Sequence, residues 1–325
     1  MQTDKKIVIT GPTGAIGMAL IKRCIEEKIL VVAVCHKKSA RIAQIPQDPY
    51  VHVVEADLAD LSRLGRKELG LGETESVDIF FHFAWEGTTG AARNDMPLQI
   101  QNIQYTIEAV ELAYRLGCDT FIGAGSQAEY GRVESMLTAR TPVFPDNGYG
   151  MAKLCAGQMS RQRCGALGMR HIWVRILSVY GPYDGQDSMV MSTIKKLAGG
   201  GRAGFTPCEQ MWDYLYSEDA AAAMLLLAEK GIHGKVYVLG SGQVKPLKDY
   251  ICQIQQAVEE RRGFAGELGV GDIPYSEKQV MYLGADLTEL RQDTGFEPRV
   301  PFGEGIRNTV NSIIGMNGVS ADGRS

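Results

Sequence analysis

No run of about twenty apolar residues occurs anywhere in the 325-residue chain, so nothing in it reads as a bilayer-spanning helix. Its opening, MQTDKKIVIT, has no apolar signal core and passes almost at once into a strand pattern. The seven cysteines are scattered without a CxxC pair, the pattern of reduced thiols in a cytoplasmic protein. Five histidines without ligand spacing leave no expected metal site. Neither sign of charge dominates: 34 Lys and Arg stand against 38 Asp and Glu, a net charge of −4 that argues against nucleic-acid or membrane-surface binding.

What is present is an alternation of short apolar strands with helical patterns. Residues 6–10, 29–35, 51–55, 77–83, 120–124 and 171–177 read as buried strands. Residues 15–27, 97–116 and 149–167 read as helices between them. This alternation predicts an α/β fold of the Rossmann type, a doubly wound parallel sheet with helices on both faces. After about residue 180 the alternation loosens, although 212–216 and 236–239 still read as strands. The expected organisation is a dinucleotide-binding domain over 1–180 with about 210–245, and a smaller, discontinuous substrate domain over about 181–209 and 246–315. A flexible tail is expected over 316–325.

The first strand runs into Gly11-Pro12-Thr13-Gly14-Ala15-Ile16-Gly17. Glycines there let the backbone turn tightly and approach a pyrophosphate, and the helix that follows presents free N–H groups to that anion. The end of the second strand lacks the carboxylate that would accept from an NAD ribose and carries His36, Lys37, Lys38 and Arg41 instead. Such an edge suits a 2′-phosphate, so NADP(H) is favoured and NAD(H) is the alternative. Asp57, with Leu58 beside it, is placed to hold the adenine amine or to cap the next helix.

Tyr149 and Lys153 form a YxxxK pair on one helix face, where a cation near a phenol favours the phenolate and brings it toward general acid–base work. Ser126 lies at the carboxyl end of the fifth strand, where parallel sheets place their sites. These features, with His82-Phe83-Ala84, Asn102, the 175–182 stretch RILSVYGP, Asp213-Tyr214 and Phe302-Gly303, resemble the extended short-chain dehydrogenase/reductases of the nucleotide-sugar epimerase/dehydratase branch, over nearly the whole chain. The resemblance implies that Tyr149 exchanges a proton with a sugar oxygen and that Ser126 orients that oxygen. It implies that Lys153 holds the nicotinamide ribose, that Phe83, Ala84, Trp85 and Asn102 flank the cofactor, and that the protein is a homodimer.

The departures narrow the chemistry. Dehydratases of this branch carry an Asp-Glu pair after the Ser; here Gln127 and Ala128 stand there, so dehydration is disfavoured. Glu129, one residue later, either reaches substrate or serves the local structure. The arginine often found before the Asp-Tyr motif is Trp212, and Ser178 stands where asparagine is common. Trp212 either stacks on a base or sugar ring or belongs to the core. Trp85 either walls the sugar pocket or packs in the core. Arg93, in a Gly/Thr loop that reads as a mobile rim, is a candidate for binding a substrate phosphate or carboxylate. The pattern is most similar to bacterial sugar reductases of the CDP-abequose or CDP-paratose synthase type. The expected function is therefore NADPH-dependent 4-keto reduction of a nucleotide sugar. A 4-epimerase with retained NAD is the alternative, and a non-catalytic dinucleotide sensor is a third reading from another class.

Overall fold

A computed structural model describes residues 5–319. Seven strands form one wholly parallel sheet: β1 (Lys6–Thr10), β2 (Leu30–Cys35), β3 (Val51–Glu55), β4 (Ile79–His82), β5 (Thr120–Ser126), β6 (Arg170–Ile176) and β10 (Val236–Leu239). Their order is β10-β6-β5-β4-β1-β2-β3. The chain winds one way from β1 to β3 and then returns to place β4 on the other side of β1. That reversal opens a crevice at the carboxyl ends of β1 and β4, where open α/β sheets bind ligands.

The two sheet faces carry separate cores, as strands buried on both sides require. On one face α1 (Ala15–Glu26) packs on α5 (Ser217–Lys230), over Ile7, Ile9, Val31 and Ile122. On the other α2 (Met96–Leu116) packs on α3 (Gly148–Ala166), over Val8, Val32, Phe80 and Phe121. Helix α2 starts sharply because Asp95 accepts from the Leu98 N–H and Pro97 stands in its first turn; it stops at Gly117, in the left-handed region.

Beyond β6 the chain builds smaller units. A three-stranded sheet joins β7 (Ser178–Tyr180), β9 (Met211–Tyr216) and β11 (Val244–Pro246). The 212–216 strand therefore lies outside the large sheet, while α5 and β10 that follow it return to that sheet. A two-stranded parallel pair joins β8 (Arg202–Phe205) to β12 (Glu267–Val270). Helices α4 (Met189–Ala198), α6 (Leu247–Arg262) and α8 (Phe302–Val319) share a third core with Tyr180, Tyr216 and Phe205. A short helix α7 (Thr288–Thr294) packs on α5. Helix α8 continues through Val319, past the start of the expected tail; residues 320–325 lie outside those described. No helix among the described residues is long and apolar enough to cross a membrane.

Candidate functional site

The crevice holds two adjoining cavities of about 380 Å³ and about 190 Å³, with Gly11 and Trp85 on the wall of both. The glycine loop forms the floor. Gly11 has φ +69°, and a Cβ there would sit 2.7 Å from the Ala84 nitrogen. A Cβ at Gly17 would sit 2.5 Å from the Pro12 carbonyl oxygen. Both positions exclude side chains on backbone grounds, and the result is a bare cradle at the N-terminus of α1 that fits a dinucleotide pyrophosphate. Gly11, Gly14, Ala15, Ile16 and Gly17 line the larger cavity with Phe83; Thr13, His36, Asp57, Leu58 and Ala84 line the smaller one.

Ser126, Tyr149 and Lys153 meet in the larger cavity. Ser126 is the last residue of β5, two beyond the expected strand end, so its side chain emerges where the sheet stops. Its hydroxyl accepts from the Ala128 N–H at 3.1 Å and lies near enough to the Tyr149 phenol to act on its ionisation. Asn147 caps α3 by accepting from the Gly150 N–H at 2.9 Å, which sets the first turn that carries Tyr149. The Lys153 ammonium donates to the Ala124 carbonyl at 2.6 Å and lies 3.8 Å from the centre of the Trp85 ring. Burial pushes this lysine down to about 7, against an opposing pull from Glu129. Burial also pushes the Tyr149 phenol up, while the Ser126 hydroxyl and the Arg93 charge pull it back.

The family model for the NAD-dependent epimerase/dehydratase family matches residues 7–240. The chain belongs to that family. It is similar to dTDP-4-dehydro-6-deoxyglucose reductase of Escherichia coli, 21% identical over 94% of this chain and 97% of that protein. The dTDP-D-glucose 4,6-dehydratase of Mus musculus is 24% identical over 74% of this chain and 68% of its own. Among solved structures, UDP-N-acetylglucosamine 4-epimerase from Methanobrevibacter ruminantium M1 superposes with a TM-score of 0.83 at 21% identity, covering 96% and 99% of the two chains. UDP-glucuronic acid 4-epimerase from Bacillus cereus, in complex with UDP-glucuronic acid and NAD, gives 0.79 at 20% identity, again over 96% and 99%. At that identity the likeness shows a shared fold. Membership places the chain among nucleotide-sugar epimerases, dehydratases and reductases that use NAD.

Several residues named from the sequence lie outside the two cavities. Glu129 does not face the cavity. It is fully buried, accepting from the Ser126 N–H at 2.9 Å and the Trp173 indole at 3.0 Å, and pairing with Arg175 at 2.7 Å. Asn102 is equally enclosed. Its amide bonds both backbone groups of Glu86 and the Leu98 carbonyl, so it holds the loop after β4 and lines neither cavity. The Trp212 indole donates to Ser178 at 2.8 Å and packs against two of the cores; neither residue lines the cavities. Gln127 sits in the turn after β5, also outside both linings.

Three of the four basic residues at this edge already have partners. The Lys37 ammonium lies 2.7 Å from Asp60, and His36 lies 3.5 Å from Asp57. Arg41 donates to the Tyr183 and Asp184 carbonyls, at 2.8 Å each. Lys38 is exposed at a turn with φ +61°, and no ion pair among the described residues involves its ammonium. Asp57 accepts from the Lys37 N–H at 3.0 Å and faces the smaller cavity.

The loop after β4 is pinned rather than a loose rim. Buried Gln99, in the first turn of α2, donates to the Gly87 and Ala92 carbonyls at 3.0 and 2.9 Å and accepts from the Trp85 indole at 2.9 Å. Asn94 accepts from the Gly148 N–H at 3.0 Å, tying the loop to α3. Gln99 gives no signal in the sequence because a lone glutamine in a helix carries no motif. Asp184, whose carboxyl burial pushes up, also lines the larger cavity; its only signal is its place just after the 175–182 stretch.

Proposed function

We propose that the chain exchanges a hydride and a proton at one carbinol or keto carbon of a nucleotide-linked sugar, and that it acts as a 4-epimerase with retained NAD. The observation that carries the chemistry is the meeting of Ser126, Tyr149 and Lys153 beside the glycine cradle. As the phenolate, Tyr149 takes the proton of the sugar hydroxyl, and as the phenol it returns that proton to the keto oxygen, while the Ser126 hydroxyl holds the same oxygen. Lys153 would hold the ribose next to the nicotinamide. When bound, the nicotinamide supplies the hydride acceptor or donor.

The choice of NAD rests on the cofactor edge. Lys37 and His36 already have carboxylate partners, and Arg41 is spent on two carbonyls. A 2′-phosphate would have to displace these pairs and would lie near Asp57 and Asp60. Net 4-keto reduction with NADPH is the second reading, favoured by the exposed Lys38 at the same edge. The units built from α4, α6, α8 and the small sheets would cover the sugar nucleotide. Two copies would pair through α2 and α3, whose outer faces expose Ile100, Tyr114, Met151 and Met159; a dimeric mass in light scattering is expected.

Denaturing the purified chain and identifying any released dinucleotide tests the reading. Stoichiometric NAD⁺ or NADH supports the epimerase. An empty protein that takes up NADPH in preference to NADH overturns it in favour of the reductase.

A further inference from the structure

The charged groups around the Tyr149 phenol come from three elements: Lys153 on α3, Glu129 in the turn after β5, and Arg93 in the turn before α2. Lys153 is the expected activator, but its ammonium is turned toward Ala124 and covered by Trp85, and it lies 5.9 Å from the phenol ring centre. The Arg93 guanidinium is closer, with its central carbon 4.3 Å from that centre. It is held there. One of its nitrogens donates to the Thr88 carbonyl at 3.0 Å, the next residue, Asn94, bonds the N-terminus of α3, and Gln99 clamps the carbonyls on both sides of the turn. A Cβ at Gly148, the residue before Tyr149, would sit 3.0 Å from the Arg93 carbonyl, so turn and helix are in backbone contact. The Arg93 side chain is half-buried, so water screens its charge only in part.

We propose that Arg93 is a positioning residue for proton transfer at Tyr149: its guanidinium, stacked on the phenol ring, fixes the ring and supplies the standing positive charge that the transfer requires. A stacked cation stabilises the phenolate more than the phenol, because the ring and oxygen gain electron density on ionisation. The direction of the Arg93 effect on Tyr149, downward, agrees with this geometry. Arginine suits the role because it stays charged whatever the pH and stacks flat on an aromatic face. The phenol would then be tuned by a residue that touches neither substrate nor cofactor. The inference builds on the proposed role of Tyr149 and holds whichever sugar reacts.

The test reads the phenol directly and needs no substrate. Nuclear magnetic resonance of ring-carbon-labelled tyrosine in the full chain follows the Tyr149 titration, assigned by the signal missing in Tyr149→Phe. In Arg93→Met the phenol is expected to ionise about half to one pH unit higher. Arg93→Lys, which keeps the charge without the flat stack, falls between. Affinity for NAD⁺ stays within about twofold in both variants, since Arg93 lines neither cavity. An unshifted Tyr149 titration in folded Arg93→Met overturns the proposal, and does so whether or not the 4-epimerase reading survives. If Arg93→Met does not fold, an unshifted titration in Arg93→Lys with a loosened ring signal overturns it instead.

Discussion

At the residue scale the site depends on one carboxylate that never meets substrate. Glu129 spends its two oxygens on the Ser126 N–H, the Trp173 indole and the Arg175 guanidinium, all inside the protein. Tyr130 stacks on the same guanidinium at 4.6 Å. This network fixes the backbone from which Ser126 projects. It also explains why Gly123, Gly125 and Gly157 surround Trp173: a Cβ at any of them would run into the indole. Glu129→Gln would leave Arg175 buried without its counter-charge, and we expect a loss of about 3 kcal/mol of unfolding free energy, measured by urea denaturation. Activity should fall as well, because the Ser126 turn loses its anchor. A variant as stable as the parent would show that water reaches the pair.

At the element scale the loop between β4 and α2 does more than its composition suggests. Its glycines and threonines read as flexible, yet Gln99 and Asn102 reach back from α2 and satisfy its backbone from behind. Three consequences meet there: Trp85 is held over Lys153, Arg93 over Tyr149, and the cavity wall keeps its shape. Gln99→Leu would remove the bonds to Gly87, Ala92 and Trp85 together and leave the Gly87 carbonyl and the Trp85 indole N–H without that partner. About 2 kcal/mol of destabilisation is expected, with faster amide exchange confined to residues 85–95. Exchange that speeds up evenly over α2 instead would show that the glutamine serves the helix and not the loop. The cradle follows a different logic. Close backbone contacts require Gly11 and Gly17, and glycines in a strand-to-helix turn announce such contacts. The dinucleotide loop is therefore legible in the sequence, whereas the clamp on the next loop is not.

At the scale of the whole molecule, two buried histidines set the response to acid. His82 lies between Thr10 and Thr106, and His171 between Phe121 and Trp173, its ring bonded among the described residues to Ser160 alone. Burial pushes both down to about 3, from 6.5. The unfolded chain therefore takes up protons below about pH 6.5 that the native chain refuses, and stability falls as the pH drops. The pair should cost about 2–3 kcal/mol by pH 5.5. Asp184, Asp213 and Asp219, whose carboxyls burial pushes up, act in the opposite direction as they protonate. Comparing the parent with His171→Gln cancels that contribution. The difference in their unfolding free energies should change by one proton's worth of slope between pH 6 and pH 5 (about 1.4 kcal/mol per pH unit). Parallel curves would place the acid sensitivity elsewhere.

Local features of the chain are enough to specify the α/β sheet, the glycine cradle and the trio of Ser126, Tyr149 and Lys153. Apolar runs with turn signals mark strands, glycines mark close backbone approach, and a four-residue spacing puts two side chains on one helix face. The roles of the remaining polar residues come from packing between distant segments. Glu129 turns inward because β6 brings Arg175 and Trp173 beside it. At the basic ribose edge Lys37 and His36 meet carboxylates because β3 and the turn after it bring Asp57 and Asp60 to them, while Lys38 stays open. Arg93 rests on the phenol because α2 and α3 pack side by side. A polar side chain takes its role from whichever partner that packing delivers, and no local pattern records the partner.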